Sequence, residues 1–263
     1  MKVLDHGYVE LIEARGSDQF IAETARTSTD TVADDSANAR LVTRLIRDEH
    51  TSPVEFASVV LQIKCPIFIA RQWMRHRSGT FNEFSGRYSE FPEEFYVPEL
   101  SRIQAQSTFN KQGSAEQLDP ELLGKDIQLM IRKESESQYQ TYRKLLNTGL
   151  TRELARAVLG VNFYTVFRWN VNLHNLFHFL RLREDSHAQY EIRVYAEAIH
   201  GMLKEAFPVA TSAWENHIQN RITVSESAIR DMVWAVQRQL KSGDFELDSS
   251  ELTELIRTYG KGN

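Results

Sequence analysis

Apolar residues recur at the 3.6-residue period of an α-helix along much of this chain, and this pattern constrains its fold more than any other feature. The pattern gathers apolar side chains on one helix face, where a neighbouring element can cover them. The segments that show it are 17–28, 36–48, 126–148, 188–207 and 224–241. The sequence therefore predicts amphipathic helices throughout, with the longest ones in the second half.

Strand-forming residues interrupt this helical pattern in three short segments. β-Branched and aromatic residues, which favour strands, are concentrated in 8–14, 58–65 and 162–171. Pro66 follows the second of these segments and suits the first position of a helix over about 66–75. Together the segments predict an α+β fold, in which a small mixed sheet core is flanked by long helices.

Length and composition exclude several classes of protein. The 263 residues allow one large domain or two small ones. No apolar run approaches the ~20 residues that span a bilayer, and acids stand near the N-terminus where a signal peptide is apolar. We expect a cytoplasmic protein without a membrane partner. The net charge of −5 argues against broad nucleic-acid binding. The single cysteine, Cys65, lies in an apolar strand and is predicted to be a core residue.

Residues 71–88 form a basic segment in this acidic chain. They hold four arginines against one acid, Glu83, and arginine is suited to binding phosphate through paired hydrogen bonds. Ser85, Gly86 and Arg87 offer a hydroxyl, backbone N–H groups and a guanidinium to one phosphate. The density of polar residues favours a binding site. The alternative is a solvated loop whose arginines pair with the acids that follow, Glu90, Glu93 and Glu94.

A second polar segment, residues 181–191, precedes a predicted helix. Arg183 and His187 lie four residues apart within it. The simpler explanation for this segment is a helix N-cap, with Asp185 or Ser186 accepting from the first turn. A lone histidine such as His187 is more often a structural residue than a catalytic one.

Two further pairs have spacings that place both members on one helix face. Glu153 and Arg156 stand at i,i+3, which alone indicates a surface ion pair of little energetic value. His174 and His178 have the i,i+4 spacing of metal ligands on a helix. No Glu follows the first histidine as it does in the HExxH motif, so we predict no metal site.

Arg75, His76 and Arg77 followed by Ser85 form an RHR-x7-S pattern. This pattern closely resembles the signature of flavin-dependent thymidylate synthases. The match extends over RQWMRHRSGTFNEFSGRYSEF, which is long enough to make a chance match very improbable. The basic segment described above is therefore the part of the chain that carries the resemblance most specifically.

Other segments support the same resemblance in the right order along the chain. Residues 50–56 (HTSPVEF) resemble the family's segment upstream of the signature, and residues 152–156 and 182–189 resemble its two downstream motifs. The resemblance covers about residues 1–210, which we predict to be one catalytic domain. Residues 211–263 are predicted to form a helical C-terminal extension packed on that domain.

The resemblance implies an enzyme that methylates dUMP to dTMP. It implies FAD as the bound redox cofactor, 5,10-methylenetetrahydrofolate as carbon donor and NADPH as reductant, with tetrahydrofolate and NADP as the other products. It also implies a homotetramer with active sites built at subunit interfaces, a sheet core with helical flanks, and no nucleic-acid partner. No cysteine needs to add to the uracil, which agrees with a core position for Cys65.

By resemblance, one set of residues binds dUMP and another binds FAD. The predicted catalytic residue is Arg183, because a fixed cation at the uracil ring can stabilise negative charge developing on a pyrimidine carbonyl. The residues matching dUMP positions are Gln72, Arg75, Glu83, Ser85, Gly86, Arg87, Glu153, Arg156 and Arg183. The residues matching flavin positions are Ser28, His50, Ser52, Glu55, Arg75, His76, Arg77, Ser78, Asn82, Glu83, Asn172, His174, His178, His187 and Gln189. Of these, His174 and His178 replace Arg and Asn of some relatives, which should alter the flavin contacts without abolishing binding.

Two alternatives from other functional classes remain open at this point. A metal-dependent nucleotide hydrolase would use His174, His178 and His187 with the same phosphate-binding arginines. A single-stranded nucleic-acid-binding protein would use the arginines of the basic segment, with aromatic side chains as stacking platforms. Those aromatic residues are Trp73, Phe81, Phe84 and Tyr88.

Overall fold

The structure is a computed structural model that describes residues 1–29, 31–108, 114–222 and 224–242. The chain divides into two compact units, Met1–Gln219 and Asn220–Asn263. Every predicted site residue belongs to the first unit. The described part of the second contains one helix, α9 (Glu226–Ser242), close to the predicted bounds of 224–241. The Ser225 hydroxyl accepts a hydrogen bond from the N–H of Ala228 at 3.2 Å at the start of this helix.

A five-stranded sheet forms the centre of the first unit, with the spatial order β1-β2-β3-β7-β4. The strands are β1 (Lys2–Val3), β2 (Gly7–Arg15), β3 (Ser58–Pro66), β4 (Thr80–Glu83) and β7 (Tyr164–Asn172), and a separate two-stranded sheet contains β5 (Gln104–Gln106) and β6 (Ser114–Gln117). The α+β class is confirmed. The sheet is antiparallel in each described pairing rather than mixed, because no helical crossover joins neighbouring strands in parallel.

Eight α-helices make up a large part of the rest of the first unit, as far as the structure describes it. They are α1 (Asp18–Arg26), α2 (Asp35–Arg47), α3 (Ile67–Trp73), α4 (Lys125–Asn147), α5 (Arg152–Ala155), α6 (Leu173–Arg183), α7 (Tyr190–Ala206) and α8 (Pro208–Trp214). All the helices predicted from periodicity are present. Within the described ranges, no helix is long and apolar enough to cross a membrane.

The core fixes the positions from which the site is built. Strand β3 pairs along its whole length with β7, in a register that sets Ser58 opposite Asn172. Trp73, the last residue of α3, is fully buried. Its ring stacks on Phe179 of α6 with centroids 4.8 Å apart and meets Trp169 of β7 edge-on at 5.7 Å. The end of α3 is therefore held by both the sheet and α6.

Candidate active site

The loop after α3 begins directly after the buried Trp73 and contains Arg75, His76 and Arg77 of the signature. The N–H of His76 donates to the carbonyl of Trp73 at 2.9 Å, which closes the helix end and starts the loop from a fixed backbone. Arg75 and Arg77 are exposed. Neither forms an ion pair with any residue in the described ranges, so the loop presents two guanidiniums whose charges are available to a bound anion.

Ser85, Gly86 and Arg87 form a turn that lies against Arg156. The N–H of Arg87 donates to the Ser85 hydroxyl at 3.3 Å. Gly86 is buried, and a Cβ built on it would lie 2.3 Å from the ring of Phe91 and 3.0 Å from Cδ of Arg156. Only a residue without Cβ lets the backbone approach this closely. The turn thus brings the signature beside an arginine almost seventy residues later in the chain.

An ion pair joins the same two segments a second time. Nε of Arg87 lies 3.4 Å from Oε2 of Glu153, and both side chains are about half exposed. The sequence placed Glu153 on one helix face with Arg156, but the carboxylate pairs with Arg87 instead. Nε of Arg156 donates to the backbone carbonyl of Glu153 at 3.4 Å. The site therefore contains two guanidiniums and one carboxylate, which pairs with Arg87 alone, and it keeps a net positive charge.

The acids that follow the basic segment have partners elsewhere. Glu90 pairs with Arg143 and lies 3.9 Å from Arg152, while Glu94 pairs with Lys64 at 2.6 Å. The alternative of a solvated loop, neutralised by its own following acids, is therefore wrong for Glu90 and Glu94. Of the arginines in the basic segment, Arg87 pairs with Glu153, whereas Arg75 and Arg77 have no ion-pair partner among the described residues.

Arg183 contacts the signature from the end of α6. Its Nε donates to Nε2 of His76 at 3.0 Å, and burial lowers the pKa of Arg183. Burial also lowers the pKa of His76 to about 4, helped first by the charge of Arg183 and then by His178. His76 is consequently neutral near pH 7, and Nε2 carries the lone pair that accepts the bond.

The segment between α6 and α7 folds into a turn stabilised by Asp185. Its carboxylate accepts from the N–H of His187 at 2.8 Å and lies 2.8 Å from Nδ1 of the same residue. The predicted helix cap is wrong, because α7 begins only at Tyr190, with Gln189 at the N-cap position. The Gln189 amide oxygen accepts a hydrogen bond from Gln72 of α3. Two predicted site residues from distant segments are thus in contact.

Three predicted flavin contacts lie together at the ends of α1 and α2. Ser28, His50 and Ser52 line an open cavity of about 850 Å³. Glu55, in the same segment, is exposed and accepts a hydrogen bond from the Thr51 hydroxyl at 2.8 Å. The described residues show no hydrogen bond or ion pair between this group and the signature loop.

Several other predicted contacts have partners within the chain. Glu83, at the end of β4, accepts from the Thr165 hydroxyl of β7 at 2.7 Å. Asn172 caps α6 by accepting from the N–H of Asn175 at 2.9 Å. Ser78, in the loop after α3, and Asn82, in β4, are exposed. The Glu83 carboxylate and the Asn172 side-chain amide therefore already have structural roles, and a ligand that binds them would share them with Thr165 and Asn175.

His174 and His178 project from α6 into a second cavity. It measures about 130 Å³, and most of its other lining residues are apolar, with Arg181 among the polar ones. Burial, then Arg181 and His174, lowers the pKa of His178. Among the described residues, no group of three or more His, Cys, Asp or Glu side chains is arranged to hold a metal ion.

Comparison with known proteins identifies the family to which this arrangement belongs. The family described as "Thymidylate synthase complementing protein" matches residues 10–209. Flavin-dependent thymidylate synthases from Thermus thermophilus and Treponema denticola are 45% and 42% identical to this chain, over 99% and 95% of it and 96% of each relative. The chain belongs to the flavin-dependent thymidylate synthase family. A solved structure of the UMP/dUMP methylase PolB from Streptomyces cacaoi, bound with 5-Br dUMP, has a TM-score of 0.74 at 29% identity, covering 83% of this chain and 99% of that one.

The aromatic residues of this family member's signature segment are mostly used for packing. Trp73 is fully buried. Phe81 stacks on Trp169 at 5.8 Å and Phe84 meets Phe91 edge-on at 5.0 Å. Of the four side chains proposed as stacking platforms, Tyr88 alone is largely exposed, at 79%. The prediction of a base-stacking surface is therefore wrong for the other three.

Cys65 is fully buried in β3 of this flavin-dependent thymidylate synthase-like chain. Burial, with a smaller contribution from the Glu83 carboxylate, raises the pKa of its thiol well above the usual value. The thiol is protonated and out of reach of solvent near pH 7, so it is unable to act as a nucleophile. This agrees with the core position predicted from the sequence.

Sequence reasoning missed two residues that shape the site. Phe91 packs over Gly86, and Thr165 holds the Glu83 carboxylate. Phe91 is the last residue of the matched stretch RQWMRHRSGTFNEFSGRYSEF, but an apolar side chain gives no sign there of a site role. Thr165 meets Glu83 because β4 and β7 are neighbours in the sheet, and strand pairing between distant segments leaves no local signal in the sequence.

Proposed function

We propose that this chain is a flavin-dependent thymidylate synthase that converts dUMP, 5,10-methylenetetrahydrofolate, NADPH and a proton into dTMP, tetrahydrofolate and NADP. The folate supplies one carbon, which replaces the C5 hydrogen of the pyrimidine as a methyl group. NADPH supplies the two electrons that reduce this carbon from the methylene to the methyl level. Atoms and electrons then balance without oxidation of the folate.

The observation that carries this proposal is the meeting of Gly86, Arg87 and Arg156. A nucleotide monophosphate is a dianion near pH 7, and two guanidiniums with a hydroxyl beside them match its charge and geometry. We assign the phosphate of dUMP to Ser85, Arg87 and Arg156, with Glu153 holding Arg87 in place. The close approach of backbone at Gly86 to Arg156 supports this assignment.

The residues present fit FAD by the chemistry of their donors. Arg75 and Arg77 have no ion-pair partner among the described residues, and a pyrophosphate is a suitable one. The cavity lined by Ser28, His50 and Ser52 offers hydroxyl and imidazole groups to a second part of the cofactor. When bound, FAD supplies the hydride chemistry that no side chain can perform. The protein supplies binding, orientation and charge.

Arg183 is assigned the charge-stabilising role at the pyrimidine. Its guanidinium is partly buried, and an ionic interaction is stronger there than in water. The hydrogen bond to His76 uses only Nε, so the two terminal nitrogens remain able to donate to a pyrimidine carbonyl. Because the partner His76 is neutral near pH 7, it leaves the positive charge of Arg183 uncompensated.

We further propose that the active site is completed between subunits of a homotetramer. The contacts described above gather many of the predicted site residues into three groups. The first contains Ser85, Arg87, Glu153 and Arg156, the second contains His76 and Arg183, and the third contains Ser28, His50 and Ser52. Among the described residues, no hydrogen bond or ion pair links one group to another. A second copy of the chain can bring the flavin-facing residues of one group to the nucleotide-facing residues of another.

The visible absorbance spectrum of the purified protein tests this function. The proposal expects flavin bands, with or without added FAD, that bleach under anaerobic NADPH. Adding dUMP and methylenetetrahydrofolate should restore the oxidised bands and produce dTMP, detected by mass spectrometry. An Arg183→Gln variant should still bind flavin yet form dTMP at a strongly reduced rate.

Two results would contradict the proposal. One is a protein that binds no flavin even after titration with FAD. The other is a flavin-containing protein that makes no dTMP when all three substrates are present.

Full activity in excess chelator is expected, whereas loss of activity on chelation would support the hydrolase alternative. Measurement of the mass in solution tests the homotetramer separately.

A further inference from the structure

A histidine outside the proposed substrate site lies between two carboxylates. His200, in the middle of α7, has Nδ1 2.9 Å from Oε1 of Glu184 and Nε2 3.0 Å from Oε1 of Glu215. The first contact is a hydrogen bond. The second has the distance of an ion pair without the alignment of a hydrogen bond. Neither carboxylate has a part in the proposed reaction, and no sequence motif pointed to this cluster.

The burial of these groups makes their pairing energetically important. The side chains of His200 and Glu184 are only 15% and 9% exposed, and the His200 ring meets Trp214 edge-on at 5.3 Å. A buried carboxylate is strongly unfavourable unless it is paired. The two ring nitrogens of His200 lie within 3.0 Å of the two carboxylates, so the imidazole is their shared neighbour.

Two further groups contact the carboxylates beside the ring. Lys204, one turn further along α7, lies 2.7 Å from Oε1 of Glu215. The Gln219 amide donates to Oε2 of Glu184 at 3.2 Å. Two carboxylates thus face one lysine and one histidine. The cluster connects the end of α6, the middle of α7 and the residues that follow α8.

The position of Glu184 relates this cluster to the proposed site. Glu184 directly follows Arg183 and is the C-cap of α6, where its N–H donates to the carbonyl of Leu180 at 2.8 Å. The turn held by Asp185 begins at the next residue. The buried side chain of Glu184 therefore anchors the backbone on which both Arg183 and that turn depend.

We propose that His200 is a positioning residue for Arg183, acting through Glu184. The side chain of Arg183 makes one hydrogen bond to a described residue, through Nε to His76, and a single bond leaves a long side chain free to pivot. Fixing the backbone at Glu184 removes much of that freedom, so the guanidinium keeps one direction toward the pyrimidine. This inference rests on the proposed function for the part that concerns catalysis.

The test compares His200→Gln and Glu184→Gln with the matched control Lys204→Gln. His200→Gln leaves one amide donor for two carboxylates, and Glu184→Gln removes the charge at the other end of the contact. Lys204→Gln removes the ammonium group beside Glu215 and leaves the contact between His200 and Glu184 in place. The first readout is amide hydrogen exchange in residues 181–189 of the full-length protein. The second is kcat per bound flavin, together with KM for dUMP.

We expect His200→Gln and Glu184→Gln to speed exchange in residues 181–189 by about tenfold. They should also lower kcat by about tenfold, since small displacements of a positioned group are costly to catalysis. The KM for dUMP should change by less than about twofold, because the phosphate contacts are intact. A purely structural role would reduce the amount of flavin-containing protein but leave kcat per flavin unchanged. Lys204→Gln should stay within about twofold of the wild type in both readouts.

Unchanged exchange in residues 181–189 of the two variants would overturn the proposal, as would an equal loss of kcat in Lys204→Gln. If His200→Gln fails to fold, Glu184→Gln carries the test alone. The exchange readout also separates this proposal from the proposed function. A wild-type protein that makes no dTMP contradicts the proposed function, and exchange still decides whether His200 orders the segment around Arg183.

Discussion

Arg183 donates a hydrogen bond from Nε to Nε2 of His76 at 3.0 Å, which joins the end of α6 to the loop after α3. The bond requires a lone pair on Nε2, so the proton of the neutral imidazole resides on Nδ1. Burial is the main reason that the pKa of His76 falls to about 4, followed by the charges of Arg183 and His178. This contact thus sets the tautomer of His76 and links its ring to Arg183.

The protonation of His76 is the first prediction. Its ring should titrate near pH 4, whereas an unperturbed histidine titrates at about 6.5. Between these values the unfolded chain binds a proton that the folded chain does not. The contribution to stability is therefore complete above about pH 6.5 and decreases as the pH falls toward 4. Long-range ¹H–¹⁵N NMR spectra of the imidazole nitrogens follow this titration directly.

Two variants make the assignment specific. His76→Asn should remove the resonance that titrates near pH 4. Arg183→Met should raise the pKa of His76, but not to the ordinary value, because burial remains the larger cause. A resonance of His76 that titrates at the ordinary value in the wild type would contradict the hydrogen bond to Arg183.

The second prediction concerns Gly86→Ala. The added Cβ would lie 2.3 Å from the Phe91 ring and 3.0 Å from Cδ of Arg156, so the turn and the arginine must separate. We expect the dissociation constant for dUMP to rise by about tenfold or more, equivalent to about 1.4 kcal/mol of binding free energy. Flavin content should change little. Isothermal titration calorimetry with dUMP measures the first quantity and absorbance measures the second.

Gly201→Ala is the matched control for that substitution. Gly201 lies in α7, and a Cβ built on it meets no atom within 4 Å. Alanine should raise the stability of the protein by about 0.5–1 kcal/mol, because it favours helix more than glycine does. Binding of dUMP should be unaffected. Equal affinities for dUMP in the two variants would show that the close approach at Gly86 is not needed for the phosphate site.

The sequence was sufficient for most of the elements of the fold, because their patterns are local. The strand predicted over 58–65 is β3 (Ser58–Pro66), and the helix predicted over 126–148 is α4 (Lys125–Asn147). Helix α6 (Leu173–Arg183) was not predicted. Its buried residues include Leu173, Leu176, Phe177, Phe179 and Leu180. Leu173, Leu176, Phe177 and Leu180 have the i, i+3, i+4, i+7 spacing of an apolar helix face, so the signal was present in the sequence and was overlooked.

The sequence motifs named the residues that meet around Gly86, but they did not predict the contacts among them. The motifs named Arg87, Glu153 and Arg156, since each belongs to a recognisable segment. The i,i+3 rule paired Glu153 with Arg156, whereas the structure pairs it with Arg87. Helix α5 is only one turn long. Its spacing does not prevent the Glu153 side chain from pairing with a nearby guanidinium of another segment. Contacts of this kind depend on tertiary packing, which a spacing rule does not contain.

The third prediction separates phosphate binding from other effects of the arginines. Arg87→Gln and Arg156→Gln should each weaken dUMP binding by about 10- to 100-fold, as expected for the loss of one or two charge-assisted hydrogen bonds. Deoxyuridine lacks the phosphate, so the two variants should bind it as the wild type does. Competition binding against dUMP and deoxyuridine measures both effects on the same protein.

Arg15→Gln provides the control for charge and exposure. Arg15 forms an exposed ion pair with Glu13 at 2.8 Å, and its side chain is 53% exposed, close to the 54% of Arg87. Its removal should change neither dUMP affinity nor stability by more than about 1 kcal/mol. If Arg156→Gln weakens dUMP and deoxyuridine to the same extent, the phosphate assignment is wrong.

The fourth prediction is that Cys65→Ala retains catalytic activity. The thiol is fully buried in β3, and burial raises its pKa, so it does not reach a substrate as thiolate. Alanine removes one buried sulfur and should lower the free energy of unfolding by about 1 kcal/mol, with kcat per bound flavin unchanged. A thiol reagent should react with the wild type only under unfolding conditions, which a colorimetric assay in increasing denaturant detects. Loss of dTMP formation in a Cys65→Ala protein that still binds flavin would mean that the reaction uses a cysteine after all.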